Sequence, residues 1–407
     1  MNKSLSSVSH ILSPARGAAL ALAAMAMAFA APSVQAQFTQ GNLVVNRVGD
    51  GSTTLGSQAQ PVALVEYTTG GTSNSVVVIA TNAASNAGGI TDSGSATSNG
   101  HLNRSANGQF LTFMGYDAPV GTASVNGTTS ANNNRNIARV NASGSVTVVA
   151  RLNDAFSGQN PRSAVTDTGS ILYAVGNPGV RYVDSTSSTP TTSTAVVSSG
   201  SLRAGQIATD ASGNKFLLYS SQTAISYFSG FPTNTATGTS LGVTLTDAGA
   251  FVLLDRSSTV GATGLGGLDT LYVADGSSTT STGTAILRKF EWNSGTSAWT
   301  AAGTATLSTS GSKLFGLTAS VNGNGSVDLY ATTQIASGNL IVKVTDSSNS
   351  NAFGGSLSGT LSTVATAPAN FAFRGIAFAP VGAATAPAAP TITAITPGNG
   401  QLSVAFT

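Results

Sequence analysis

The sequence predicts an all-β fold: a single β-propeller of six blades, with room for a seventh, closed by strands from its two ends sharing one blade and followed by the start of a β-sandwich. Three observations predict it. No segment after residue 36 keeps a helical period, and short β-branched and aromatic runs bounded by Gly, Asn, Asp and Ser recur instead. A strand–turn–strand unit repeats at the length of a propeller blade. Unmatched strands stand at the two ends of the repeating region.

Residues 1–36 read as a secretory signal. Lys3 and Arg16 flank the uncharged run Ala18–Ala31, Pro32 follows it, and Val34-Gln35-Ala36 offers a small-residue cleavage site before Gln37. Fourteen apolar residues fall short of the roughly 20 that a membrane-crossing helix needs, and no later stretch approaches that length. Export to the cell surface or the medium is the expected destination, with no transmembrane segment left after cleavage.

Removing this segment neutralises the chain. Lys and Arg number 17 against 15 Asp and Glu, and loss of Lys3 and Arg16 leaves the two signs equal, with His101 the one remaining histidine. Charged residues make up 8% of the sequence, against about 25% in ordinary domains. A neutral, charge-poor surface gives nucleic acid no electrostatic hold. The sequence holds no cysteine, which excludes disulfides, thiolate metal sites and cysteine nucleophiles. The fold must rest on apolar burial and strand pairing, and the hydrophobic fraction of 41% supplies the core.

Residues 37–382 carry the repeat. An apolar strand, an Asn/Asp/Gly turn and a strand with an aromatic or Leu-Tyr pair recur through Gln109–Tyr116, Ile171–Ala174, Phe216–Tyr219, Thr270–Asp275 and Val327–Ala331. From Tyr173 the steps to Tyr219, Tyr272 and Tyr330 are 46, 53 and 58 residues, enough for four short strands and their turns. Asn and Gly at Asn141–Gly144 and Asn293–Gly295 suit the hairpin corners, where positive φ is tolerated. At one end Phe373–Phe378 reads as a first strand with no blade after it. At the other, Leu43–Val48, Pro61–Tyr67 and Val76–Ala80 read as three strands with no first strand before them. Joining the two leaves no open sheet edge.

Residues 383–389 form an Ala/Pro linker of the extended kind. In residues 390–407 a Pro-x-x-Pro-like start, an alternating strand, Gly398-Asn399-Gly400 and a second alternating strand resemble the opening of a bacterial fibronectin type III domain. Two strands cannot stand alone as a sandwich, so the domain is expected to be truncated. A wider resemblance, carried in order by GNLVVNRVGDGS, TSNGHLNRSANGQFLTFMGYDA, DTLYVAD and FRGIAFAPV, runs from Gly41 to about Val381. These stretches resemble a family of uncharacterised exported bacterial proteins with one propeller, often followed by fibronectin-like or other surface modules. The resemblance implies an architecture and no catalytic residues.

Chemistry is sparse. A Ser–His–acid group needs a histidine oriented by a carboxylate, and His101 reads as a turn residue or polar contact. Glu66 and Glu291 are the only glutamates, and Asp167 and Asp210 precede Gly at equivalent turns, which leaves Asp154 and Asp275 as weak acid candidates. No calcium loop is present and Gly261–Gly267 lacks the Lys of a phosphate loop, so neither metal nor cofactor is expected. Asn293–Trp299 is similar to the aspartate-box hairpins of sialidase-like propellers but departs in residue type and spacing, and reads as a plain hairpin. Trp292 and Trp299 read as its cross-strand pair.

One constellation points to binding. Arg162 and Arg374 fall at the same point of the repeat, before the first strand, and Arg203 and Arg104 lie near it in two more copies. First strands line a propeller's channel, so these guanidiniums could ring one mouth and grip a carboxylate or sulfate. The alternative is that each ties a neighbouring blade's carbonyl or an aspartate. The expected function is a non-catalytic binding or adhesion module for a glycan or another surface protein. The alternative is a polysaccharide hydrolase or lyase using aspartates at the channel mouth.

Overall fold

The computed structural model describes residues 38–184, 191–277, 283–307, 313–335, 337–348 and 355–382, and the backbone of 392–398 and 401–406. The secretory-type segment and the linker 383–389 lie outside the described residues, as do the Ser/Thr-rich stretches 185–190, 278–282 and 308–312.

Apart from one 3-10 turn at Val125–Gly127, the described secondary structure is all strand. In chain order, β1 (Leu43–Val48), β2 (Ala59–Tyr67), β3 (Ser73–Val78), β4 (Thr91–Ser93), β5 (Asn103–Arg104), β6 (Phe110–Tyr116), β7 (Arg135–Asn141) and β8 (Val146–Leu152) belong to one nine-stranded sheet. Its ninth strand comes from the far end of the domain. Four separate four-stranded sheets follow. The first two are β9 (Pro161–Thr166), β10 (Ile171–Gly176), β11 (Val180–Asp184) and β12 (Ser193–Val197), then β13 (Gly205–Thr209), β14 (Lys215–Ser220), β15 (Ile225–Ser229) and β16 (Thr239–Ser240). The others are β17 (Phe251–Leu254), β18 (Thr270–Gly276), β19 (Ala285–Asn293) and β20 (Ala298–Thr306), then β21 (Leu314–Val321), β22 (Val327–Thr333), β23 (Leu340–Asp346) and β24 (Ser362–Thr366). All are antiparallel meanders.

The chain then returns through β25 (Ala372–Phe378), which pairs antiparallel with β1, Leu43 opposite Phe378 and Val48 opposite Ala372. This is the shared sheet that the unmatched end strands predict. The nine-stranded sheet thus contains two four-strand runs, β25-β1-β2-β3 and β5-β6-β7-β8, bridged by β4. Each innermost strand packs beside the next around a closed cycle: β5 by β9, then β13, β17, β21, β25 and β5 again. The result is a propeller-like ring. The alternating strand pattern near the C-terminus also appears as expected, because β26 (Ile392–Gly398) and β27 (Gln401–Phe406) form an antiparallel hairpin.

The core lies between the sheets. One cluster fills each interface, and the second strand of each sheet feeds two of them because alternate side chains leave opposite faces. Leu172 packs backward against β6 and β7 through Met114 and Ile137, while Tyr173 packs forward against Leu217 and Phe228. Leu271 and Tyr272 divide in the same way, as do Leu329 and Tyr330. Tyr219 departs from the repeat. It packs backward with Leu217, and Phe216 and Leu218 face forward. A one-residue offset in a strand moves a side chain to the other face, so the Tyr173–Tyr219 step does not relate equivalent positions.

The pairing of β1 with β25 should decide whether the ring holds. A chain ending at Asn370 loses Phe373 and Ile376 from the interface they share with Leu43 and Tyr330. It is expected to lose the single cooperative thermal transition of the full chain in calorimetry; a transition within a few degrees of the full chain's would show that closure contributes little.

Candidate functional site

The innermost strands enclose a channel whose two ends differ. At the end where these strands start, hydrogen bonds link each innermost strand or its neighbour to the next around the cycle. Gly375 N–H donates to Gly100 O (2.9 Å), His101 N–H to Arg162 O (3.0 Å) and Ala250 N–H to Phe315 O (2.7 Å). Side chains complete the girdle: Ser163 Oγ accepts from Gly205 N–H (3.2 Å), Ser220 Oγ donates to Gly249 O (3.1 Å) and Thr332 Oγ1 to Arg374 O (2.5 Å). Glycine is needed for this approach. A Cβ on Gly375 would overlap Leu102 N and lie 2.6 Å from His101 C, and one on Gly249 would lie 2.5 Å from Phe315 O.

His101 plugs this narrow end. It is 2% exposed, and its ring lies 4.0 Å from that of Phe315, which comes from β21, two sheets away around the ring. Burial, then the charges of Arg162 and Arg203, push its pKa down to about 3, so the imidazole is neutral throughout the ordinary range. Arg162, Arg203 and Arg374 sit at the same end, as their place in the repeat predicts, but they point into the structure. Arg162 is 7% exposed and donates from Nη1 to Leu202 O (2.6 Å) and Ser201 Oγ (2.9 Å) of the next sheet's approach. Arg374 is 1% exposed and donates to Gly94 O (2.9 Å) and Ile335 O (3.3 Å). Arg203 pairs with buried Asp247 at 3.0 Å, which also pairs with Lys313. Among the two readings of the arginines, these contacts are those of ties between neighbouring sheets.

Arg104 lies at the opposite end. It pairs with Leu111 at the start of β6, whereas Pro161, beside Arg162, pairs with Gly176 at the end of β10. At about 3.3 Å per residue this separates the two arginines by some 13 Å along the strands. Arg104 is exposed and lines a cavity of about 340 Å³ formed by 102–106, 206–209, 251–254, 317–319 and 376–378, stretches from five innermost strands. Among the described residues it is the only charged one on that wall. Its Nε donates to Gly108 O (3.1 Å), and its terminal nitrogens meet no acceptor among the described residues. A second cavity of about 380 Å³ shares Arg104, Ala319 and Phe378 and adds Asp328, Tyr330 and Lys343. Lys343 Nζ lies 3.2 Å from Asp328 and 5.2 Å from the Tyr330 ring centre.

The other sequence candidates are occupied by the fold. Asp154 pairs with Arg181 (3.1 Å) and accepts from Ser193 N–H (2.8 Å), and buried Asp275 pairs with Arg288 (2.5 Å). Asp210 caps its turn at Asn214 N–H (2.8 Å), as its sequence position suggests, while Asp167 reaches Lys215 of the next sheet (2.8 Å). Glu66 is held by Thr39 N–H (2.6 Å) and the Asn42 amide (2.9 Å), and Glu291 by Lys289 (2.6 Å). Trp292 and Trp299 are directly opposite on β19 and β20, edge to face at 5.8 Å. Sequence reasoning missed Asp92, Asp247, Lys313 and Phe315, which meet only across sheets and share no local motif.

No family model and no curated protein matches this sequence. Among solved structures, the chain is similar to β-propeller proteins. A mutant sialidase from Streptococcus pneumoniae is 8% identical with a TM-score of 0.45, the match covering 74% of this chain and 66% of that one. A leech intramolecular trans-sialidase is 9% identical with a TM-score of 0.45, over 74% and 64%. A protein from Lactobacillus plantarum is 12% identical with a TM-score of 0.41, over 83% and 99%. The chain spans just under two thirds of the length of these sialidases.

In NMR spectra recorded between about pH 4.5 and 8, the His101 ring should stay at neutral-imidazole positions; a midpoint near the usual histidine value of about 6.5 would contradict the burial. Because its folded pKa lies below the unfolded one, His101 costs stability as pH falls from about 6.5 towards 3. Replacing it with Gln should remove a slope approaching 1.4 kcal/mol per pH unit in that window, read from denaturant midpoints against pH. Gly375→Ala is expected to cost roughly 1–3 kcal/mol by overpacking against backbone, and an unchanged midpoint would show the girdle to be compliant.

Proposed function

We propose that this chain is an exported, non-catalytic binding module. In this reading it is a six-bladed propeller, with β25-β1-β2-β3 and β5-β6-β7-β8 as two of its blades, joined through an Ala/Pro linker to fibronectin-like spacers. Its ligand is an acidic glycan that enters the wide end of the channel and presents a carboxylate or sulfate to Arg104. The observation that carries the reading is the exposed Arg104 guanidinium, the single charge among the described residues on the wall of a cavity formed by five innermost strands. A planar fork with free N–H donors suits bidentate binding of an oxyanion.

Two features favour binding over turnover. The described residues on the wall of the 340 Å³ cavity include no carboxylate, and glycoside cleavage of the usual kind needs a pair of them. Asp328, the one acid among the described residues of the neighbouring cavity, is held by Lys343 and by the Thr345 hydroxyl (2.5 Å). The leader-like residues 1–36 and the charge-poor composition support export.

Calorimetric titration with polygalacturonate, a sulfated glycan and a neutral glycan tests this. Saturable binding of the acidic polymers without product release is expected, weakened at least about tenfold by Arg104→Ala, as one charge-assisted bidentate contact supplies roughly 1.5–3 kcal/mol. Chain shortening of the polymer, or equal binding by the variant, would overturn the proposal.

A further inference from the structure

The narrow end of the ring has more buried positive charge than the described residues neutralise. Arg162, Arg203, Lys313 and Arg374 bring four cationic side chains there, and all but Arg203 are under 10% exposed. Two carboxylates face them. Asp247 is shared between Arg203 and Lys313. Asp92 is the carboxylate whose charge Arg374 feels, at more than ion-pair distance, and burial raises its pKa to about 6, so its own charge is expensive. Arg162 has no carboxylate partner among the described residues; its Nη1 contacts are a hydroxyl and a carbonyl. Neutral acceptors satisfy N–H groups and leave the charge in place.

Unpaired buried nitrogens lie in the same place. The buried Nε atoms of Arg162 and Arg203 and the buried Nε2 of His101 have no hydrogen-bond partner among the described residues. The backbone brings the three residues together: His101 N–H donates to Arg162 O (3.0 Å), and Arg162 Nη1 donates to Leu202 O (2.6 Å), beside Arg203. A water molecule would serve the donors without neutralising Arg162. An anion would do both.

We propose that the narrow end binds one small monovalent inorganic anion of chloride size between Arg162, Arg203 and the His101 ring, as the counter-charge that lets this cluster be buried. The near-complete burial of His101 and Arg162 limits the ligand to a monatomic or similarly compact ion. This site is independent of the glycan reading, because it lies at the other end of the channel and does not involve Arg104.

The test compares thermal midpoints of the full chain in sodium chloride, bromide and gluconate at equal ionic strength. Chloride and bromide should raise the midpoint saturably by about 2 °C or more over gluconate. A bromide-soaked crystal should show an anomalous peak within hydrogen-bond distance of Arg162 and Arg203. Ser201→Asp places a carboxylate at the existing Nη1 contact of Arg162 and should abolish the halide shift; Arg162→Met removes the unmatched charge and should do the same. Equal midpoints in the three salts, bromide peaks confined to the surface (an adventitious ion only), or a full halide shift in a folded Ser201→Asp or Arg162→Met chain would overturn the proposal. The diffraction experiment decides the matter even if neither variant folds.

Discussion

The pairing of β25 with β1 is the contact on which the ring depends. Each interface between sheets buries a cluster that neither neighbour could bury alone, and a ring with a gap would expose two such faces. Closure joins residues some 330 positions apart, and the length-dependent part of its entropy is about 5 kcal/mol. Against this stands the cluster of Leu43, Val45, Val65, Tyr67, Tyr330, Ile341, Ala367, Phe373 and Ile376. At roughly 1.5–3 kcal/mol for each large side chain fully buried, that cluster outweighs the closure entropy even after allowance for a compact unfolded chain. With no cysteine to lock the ends, apolar packing and the β1–β25 ladder carry closure together.

Much of this architecture was legible because strands alternate. The Leu-Tyr pairs at 172–173, 271–272 and 329–330 place one residue on each face, and that pattern locates the second strand and both of its interfaces. The same periodicity explains where the reading slipped. Tyr219 matches the repeat in spacing but not in face, since the interval from Tyr173 says nothing about the parity of pairing. Strands as short as β5 and β16, two residues each, give too little alternation to be read at all.

The site was legible to a smaller degree. Position in the repeat brings Arg162, Arg203 and Arg374 to one end, although Arg162 and Arg374 lie within the first residues of β9 and β25 and only Arg203 precedes its strand. Direction and burial are not local properties. Whether a guanidinium faces the channel or the next sheet depends on Leu202 O, Gly94 O or Asp247, residues tens to hundreds of positions away. Arg104 lies three residues beyond His101, whose N–H bonds to Arg162 O at the narrow end, and that shift is enough to carry it towards the far end. His101 shows the same limit: a polar, glycine-rich context suggests a turn, and burial arises from strands that converge on it from around the ring.

The two ends of the channel therefore do different physical work. At the narrow end, Gly100, Gly249 and Gly375 let backbones approach until amides and carbonyls join across sheets, and the polar side chains there complete those joints. A side chain that ties two sheets cannot turn to a ligand without leaving a buried acceptor or charge unmatched, at a cost of about 1–3 kcal/mol for each lost bond. At the wide end Gln206, Leu317 and Ile376 line the cavity, and Arg104 bonds only to its own turn at Gly108. Its remaining donors face the cavity with nothing in the fold to release. Arg104 is thus tied only within its own turn at the open end, whereas Arg162, Arg203 and Arg374 each hold a neighbouring part of the ring at the closed end.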